Sequence, residues 1–176
     1  MTASEFQKTW RAEDQPLAVM PEEQLARFSM LPATKDFLSV TGLPVYASPF
    51  LSFMDGKKFN TERYIVIGAN RNGAPIVVDT GNNDKVELLN FQGSFQPVFI
   101  NSSLEQLADF LVIYRDFEDM LLSEQGDDGV LNSSFSDEQF EALKQRMEAA
   151  DKPALEGFWK EELEILLADR DDFLNG

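Results

Sequence analysis

Any chemistry this chain performs must rest on carboxylates, because it contains neither histidine nor cysteine. Without imidazole there is no ordinary general base near neutral pH, no Ser-His-Asp triad and no common zinc ligand. Without thiols there is no disulfide and no thiolate nucleophile, and a reducing compartment suits the chain. What remains is 31 Asp and Glu against 15 Lys and Arg. The run Asp79-Thr80-Gly81-Asn82-Asn83-Asp84 has the composition of a calcium loop. Its acids are misspaced, however, and Asp84 stands where an EF-hand needs glycine. Turn chemistry between two strands is the better reading. Gly68 to Gly73 places glycines after a strand but lacks the Lys-Ser/Thr pair and the following helix of a phosphate loop. Asp79 and Glu87, on neighbouring predicted strands, are the pair one would try as acid and base of a glycosidase. Nothing singles them out among so many acids, most of which are solvated in any protein. The sequence therefore assigns no catalytic residue, no cofactor and no metal, and the expectation is that the protein is not an enzyme.

The same carboxylates point to binding. Residues 1–60 carry a net charge of −1, residues 61–115 carry −2, and residues 116–176 carry −13. A field this lopsided repels nucleic acid and anionic membrane and attracts a basic protein. An acidic helical face also serves solubility alone. The candidate partner-binding acids are Asp127 and Asp128, in a Gly-flanked loop, and Glu138, Glu141 and Glu161 on the helices beyond it. Tyr46, Phe50, Phe53 and Phe59 lie in a less regular stretch, and Tyr46 and Phe53 are taken as aromatic contact candidates. No apolar run reaches membrane-spanning length, and the polar start MTASEFQKTWRAEDQ is unlike a signal peptide. A cytoplasmic location is expected.

The elements that must hold these residues are clear in the middle of the chain. Val98 to Ile100 reads as a strand that stops at Asn101 and starts a long helix at once. Ser102 with Glu105 is the expected capping box. The helix behind it carries two apolar stripes, one through Leu104, Leu107, Ala108, Leu111 and the stem of Arg115, the other through Phe110, Ile113, Tyr114, Phe117 and Leu121. A helix apolar on two sides must be covered on two sides, by a sheet and by other helices. Before it comes a meander: Phe50 to Met54, ending at Asp55-Gly56, then Arg63 to Ala69, Pro75 to Thr80, Lys85 to Phe91 and Pro97 to Ile100. Loops of about 4–6 residues between them favour antiparallel pairing. Short helices start at Pro21 and run from Ala33 to Val40, the second capped by Gly42 and stopped by Pro44. Ser123 to Ser134 reads as a polar linker. Ser136 with Gln139 caps a helix edged by Phe140, Leu143 and Met147. A final helix buries Phe158, Trp159, Leu163, Leu166 and Leu167. The expected architecture is α+β: one mainly antiparallel sheet of about 4–6 strands covered by helices. Residues 1–20 read as a loosely attached lead-in, with Trp10 and Leu17 able to dock, and 21–176 as a single domain on which the acidic helices 135–174 pack.

Four segments, in order, resemble one family: Phe37 to Pro44 (FLSVTGLP), the hairpin from Ile67-Gly68 through Pro75-Ile76 and Val86, the junction Phe99 to Glu105 (FINSSLE), and Asp151 to Trp159 (DKPALEGFW). The chain is similar to the SUKH superfamily, and within it to the fourth immunity-protein subfamily. The resemblance spans about residues 30 to 170. It implies the same α+β fold. It also implies a non-enzymatic bacterial immunity protein that binds and neutralises a cognate polymorphic toxin, a basic nuclease or deaminase among the options. The shared segments are structural, so the resemblance names no interface residue. The competing expectation is a regulatory or small-ligand-binding scaffold without catalysis.

Overall fold

The structure is a computed structural model that describes residues 1–10, 15–53, 61–90 and 96–175. Its centre is the long helix α4, but α4 has to be approached in chain order. Helix α1 (Ala3–Thr9) opens with a capping box in which Thr2 and Glu5 satisfy each other's backbone. Strand β1 (Leu17–Ala18) pairs with β2 (Leu43–Pro44) in a small two-stranded sheet. Between them lie α2 (Glu22–Leu25) and α3 (Pro32–Asp36), which runs on as a π-helical turn, Phe37–Thr41. Gly42 ends that turn as the sequence suggests. Its φ is +79°, and a Cβ there would sit 2.4 Å from the Ala18 carbonyl oxygen, so only glycine fits.

The main sheet follows as β3 (Tyr46–Ala47), β4 (Leu51–Ser52), β5 (Tyr64–Ala69), β6 (Pro75–Asp79), β7 (Lys85–Leu89) and β8 (Pro97–Asn101). They lie side by side in chain order, every pairing antiparallel. This is the meander that the short loops require. The first expected strand is shorter than its sequence reading, and its proposed end at Met54, Asp55 and Gly56 lies outside the described residues, as does Phe91.

Helix α4 (Leu104–Gln125) crosses the sheet. Both of its apolar stripes are buried, from Leu104, Leu107 and Leu111 on one side to Phe110, Tyr114, Phe117 and Leu121 on the other. The remaining elements are α5 (Asp127–Leu131), α6 (Asp137–Asp151), a 3-10 turn at Lys152–Glu156, and α7 (Phe158–Asn175). The reciprocal Ser136–Gln139 cap of α6 is present, at 3.2 Å and 2.7 Å.

Three readings are corrected. The α4 cap is Ser103, whose hydroxyl accepts from the Gln106 amide, not Ser102 with Glu105. The expected linker 123–134 instead contains the end of α4 and all of α5. The first residues are not loosely attached: Phe6 is fully buried and Trp10 nearly so, their rings 5.4 Å apart and Phe6 also against Phe37.

Ser102 is released from capping for another role. Asp151, at the end of α6, accepts from the Ser102 amide at 2.7 Å, from the Ser102 hydroxyl at 2.8 Å and from the Asn101 side-chain amide at 3.1 Å. The Asn101 side-chain oxygen accepts from the Trp159 indole at 3.0 Å. Asn101 and Trp159 are fully buried. At Gly157 the chain passes so close to β8 that a Cβ would lie 2.2 Å from the Phe99 carbonyl oxygen.

Two outcomes are expected. Leu111→Ala lowers stability by about 2–5 kcal/mol, as loss of a buried leucine does. Asp151→Ala leaves the Asn101 amide and the Ser102 N–H unpaired in the interior and costs about 2–5 kcal/mol. Urea titration followed by circular dichroism reads both, and a cost under about 1 kcal/mol for either change would contradict the packing described.

Candidate functional site

A hollow of about 280 Å³ opens where the β3–β4 turn, α4, α5 and α7 converge. The β3–β4 turn supplies Ser48, Pro49 and Phe50, and the Ser48–Pro49 peptide is cis. Helix α4 supplies Tyr114, Phe117, Glu118 and Leu121. From α5 and its exit come Val130, Leu131 and Ser133, and from α7 come Glu162, Ile165, Leu166 and Asp169. Arg71, from the β5–β6 turn, completes it. The walls thus mix apolar and polar surface, with three carboxylates set against one guanidinium.

The local sequence explains these positions. Tyr114, Glu118 and Leu121 share one helical stripe of α4, and Phe158, Glu162 and Leu166 share one of α7. In each case a glutamate interrupts an apolar face and is carried part-way into the interior. Burial pushes the Glu118 carboxyl above the ordinary glutamate range; the Ser48 hydroxyl, donating to it, opposes the rise, and the charge on Asp119 adds to it. Burial likewise pushes Glu162 up, against the pull of Arg71, with which it is ion-paired. Burial is also the main cause that raises the Tyr114 phenol. Arg71 does two things at once, because its guanidinium also lies over the Phe50 ring, 4.6 Å from the centroid.

Phe50 stands out. It is 70% exposed, and its φ of +59° places a bulky side chain in the left-handed region, where such residues are rare. Leu131, 78% exposed, stands on α5, and Leu122 and Ile165 are exposed as well. A second hollow of about 410 Å³ adjoins the first, sharing Glu118, Val130 and Leu131 and adding Asp119, Leu122 and Asp127. Apolar knobs and carboxylates therefore alternate across one continuous face.

The sequence candidates fall on this face unevenly. Asp127 lines the second hollow, and Asp128 is exposed beside it on α5. Glu161 is exposed one residue before Glu162. Glu138 lines a different depression, with Asp116 and Arg146. Glu141 is exposed but paired with Lys144 at 2.9 Å. Tyr46 is exposed on the edge strand β3. Phe53 is corrected: it is 2% exposed and part of the core, because the chain turns inward after β4, so it is no contact residue. Phe59 lies outside the described residues. Glu118, Glu162 and Asp169, which line the first hollow, are not among the sequence candidates. The available signal was the glutamate on each apolar helical stripe.

Of the two acids weighed as a catalytic pair, Asp79 is engaged by Arg63, while the Glu87 Oε2 is buried without a hydrogen-bond partner among the described residues. Asp79 is fully buried and held by Arg63 through two hydrogen bonds, of 2.6 Å and 2.5 Å. Burial, then the charge on Asp79, pushes Glu87 up. Asp84 accepts from the Leu31 amide at 2.6 Å. Among the described residues no group of three or more acidic side chains is arranged to hold a metal ion.

The structure is thus an antiparallel sheet wrapped by helices, with the motif segments spent on the core and an acidic face left exposed. The chain matches the profile of the SUKH-4 immunity protein family over residues 3–167, and it belongs to that family. No curated protein and no solved structure gives a significant match. No helix of the described residues is long and apolar enough to cross a membrane.

The raised Glu118 gives a signed expectation. Its folded-state carboxyl titrates above the unfolded value of about 4.3, so ionisation is penalised in the native state and stability falls as pH rises through the folded pKa. Glu118→Gln removes that penalty. The variant should melt above the parent near pH 7, and the difference should shrink as pH approaches about 4. Calorimetric melts across that range check it; a variant less stable at neutral pH would show that the ionised carboxylate is well solvated.

Proposed function

We propose that this chain is a non-catalytic bacterial inhibitor that acts in the cytoplasm by binding and neutralising a cognate polymorphic toxin. The partner is a basic domain, of the kind that handles a polyanionic substrate, such as a nuclease or deaminase. Family membership supports the immunity role. The observation that carries the choice of surface is the joined pair of hollows, where exposed Phe50, Leu122 and Leu131 surround Glu118, Asp127, Glu162 and Asp169. Aromatic and aliphatic anchors amid a charged rim are the anatomy of a specific interface.

The excess charge has little to neutralise it from within. Arg146, Lys144, Lys152 and Arg170 are each engaged by a carboxylate of the same region, leaving a large negative remainder on the last third of the chain. Such a surface steers a basic partner inward and mimics its natural polyanion. A small-ligand scaffold is the second reading, and the 280 Å³ hollow gives it a place. Family membership, rather than the volume, favours the protein partner.

The test uses a candidate toxin domain, sought among the genes that flank this chain's own. Its association rate, measured by stopped flow, should fall steeply between about 0.05 and 0.5 M salt, since the Debye length is only ~10 Å at 0.1 M. Asp127→Lys with Asp128→Lys should slow association by about tenfold or more while changing dissociation less. Reversing Glu22, Glu23 and Glu62 should change little. A salt-independent rate, or an effect confined to the N-terminal reversals, would remove the acidic face from the account.

A further inference from the structure

We infer that the hollow between the β3–β4 turn, α4 and α7 is a socket for a single arginine side chain of the partner, whose guanidinium lies between Glu118 and Asp169 while its stem packs on Phe50 and Ile165. The inference deepens the proposed toxin-binding role and rests on it for the source of the arginine. The pocket itself is argued from its own geometry.

Three features favour a guanidinium. The first is charge. The hollow holds Glu118, Glu162 and Asp169 but only Arg71, and Arg71 is committed to Glu162. Among the described residues neither Glu118 nor Asp169 has a cationic partner; Glu118 is met only by the Ser48 hydroxyl. A half-buried carboxylate without a cation is an unfavourable arrangement in the free protein, relieved when a positive charge enters. The second is the wall. Tyr114, Phe117, Leu121 and Ile165 offer little to a strongly hydrated ammonium, whereas a guanidinium is weakly hydrated and stacks on rings. The third is size. The volume suits one long side chain and is small for a folded ligand. The existing Arg71–Phe50 stack shows that this turn already accommodates a guanidinium against its exposed ring. Although three acids line the hollow, no three described acids are close enough together to hold a metal ion.

An isolated arginine probes the socket without any toxin. The isotope-labelled full chain is titrated with N-acetyl-arginine methylamide and, separately, with the neutral N-acetyl-citrulline methylamide, following backbone amide shifts. Arginine should produce saturable shifts at Phe50, Tyr114, Glu118 and Ile165, with a dissociation constant on the order of 1–10 mM. Citrulline should bind at least about fivefold more weakly, as loss of one charge-assisted contact implies. Glu118→Gln should abolish the arginine shifts although it melts at or above the parent temperature, so lost binding cannot be ascribed to unfolding. Glu23→Gln should leave them unchanged. No saturable shift with arginine, equal binding of citrulline, or full binding by Glu118→Gln would each overturn the inference.

A second arm separates this from the wider reading. In a growth assay with that candidate toxin domain, the parent chain should protect and Glu118→Gln should need at least about tenfold more expression to protect equally. If the parent fails to protect, the toxin reading falls while the titration still decides the socket. If the parent and Glu118→Gln protect equally, the toxin reading stands and the socket is not where the toxin docks.

Discussion

A buried carboxylate, Asp151, holds the architecture together. It lies at the end of α6 and accepts three hydrogen bonds from the point where β8 stops and α4 begins. Asn101, fully buried beside it, passes the connection on to the Trp159 indole. A charge in the interior is tolerated only when its lone pairs are satisfied, so the groups around Asp151 must assemble together or not at all. This turns a local junction into a long-range constraint. It fixes where α6 ends, where the turn at Lys152–Glu156 meets the sheet and hence where α7 sets out. Trp159 then packs on Phe110 and Tyr114, with ring centroids 5.0 Å and 6.3 Å apart, which sets α7 against α4.

The candidate site inherits its geometry from that constraint. Glu118 projects from α4 and Glu162 and Asp169 from α7, so the distances across the hollow depend on how those two helices are held. The fourth side, the β3–β4 turn, is anchored separately through Leu51 and Phe53, both deep in the core. The face is therefore firmly framed, while Glu118 and Asp169 on it have no cationic partner among the described residues. That division is expected of a site tuned for binding, where local free energy is given up for recognition and the framework supplies the stability.

Much of the frame was legible in the sequence. The two stripes of α4, the Ser136–Gln139 cap, the Gly42 stop and the order of the antiparallel strands all follow from local periodicity and turn chemistry, which neighbouring residues decide among themselves. The failures share one cause. Ser102 looks like a cap, but a carboxylate 49 residues away draws its hydroxyl and amide aside, and Ser103 caps instead. Phe53 looks available in an irregular stretch until the fold carries it inward. The lead-in seems loose until Phe6 meets Phe37. The site was half legible: net charge located the acidic third, and Asp127 lies on the face. Glu118 and Glu162 were hidden because a glutamate on an apolar stripe reads as an interruption until two such stripes are seen to face one hollow.

The sheet itself limits how any partner can attach. One outer strand, β3, is only two residues long, and the other, β8, lies under the turn that ends at Gly157, whose missing Cβ allows the close approach to Phe99. One border is thus very short and the other is approached closely at Phe99, which disfavours strand addition there. Main-chain pairing is nearly blind to side-chain identity, so a protein that bound that way would accept many sequences. A partner held on the acidic face, as proposed above, would be read through side chains instead. Related partners can then be told apart by one or two exchanged residues, and a change of allegiance need not disturb a single backbone hydrogen bond of the fold.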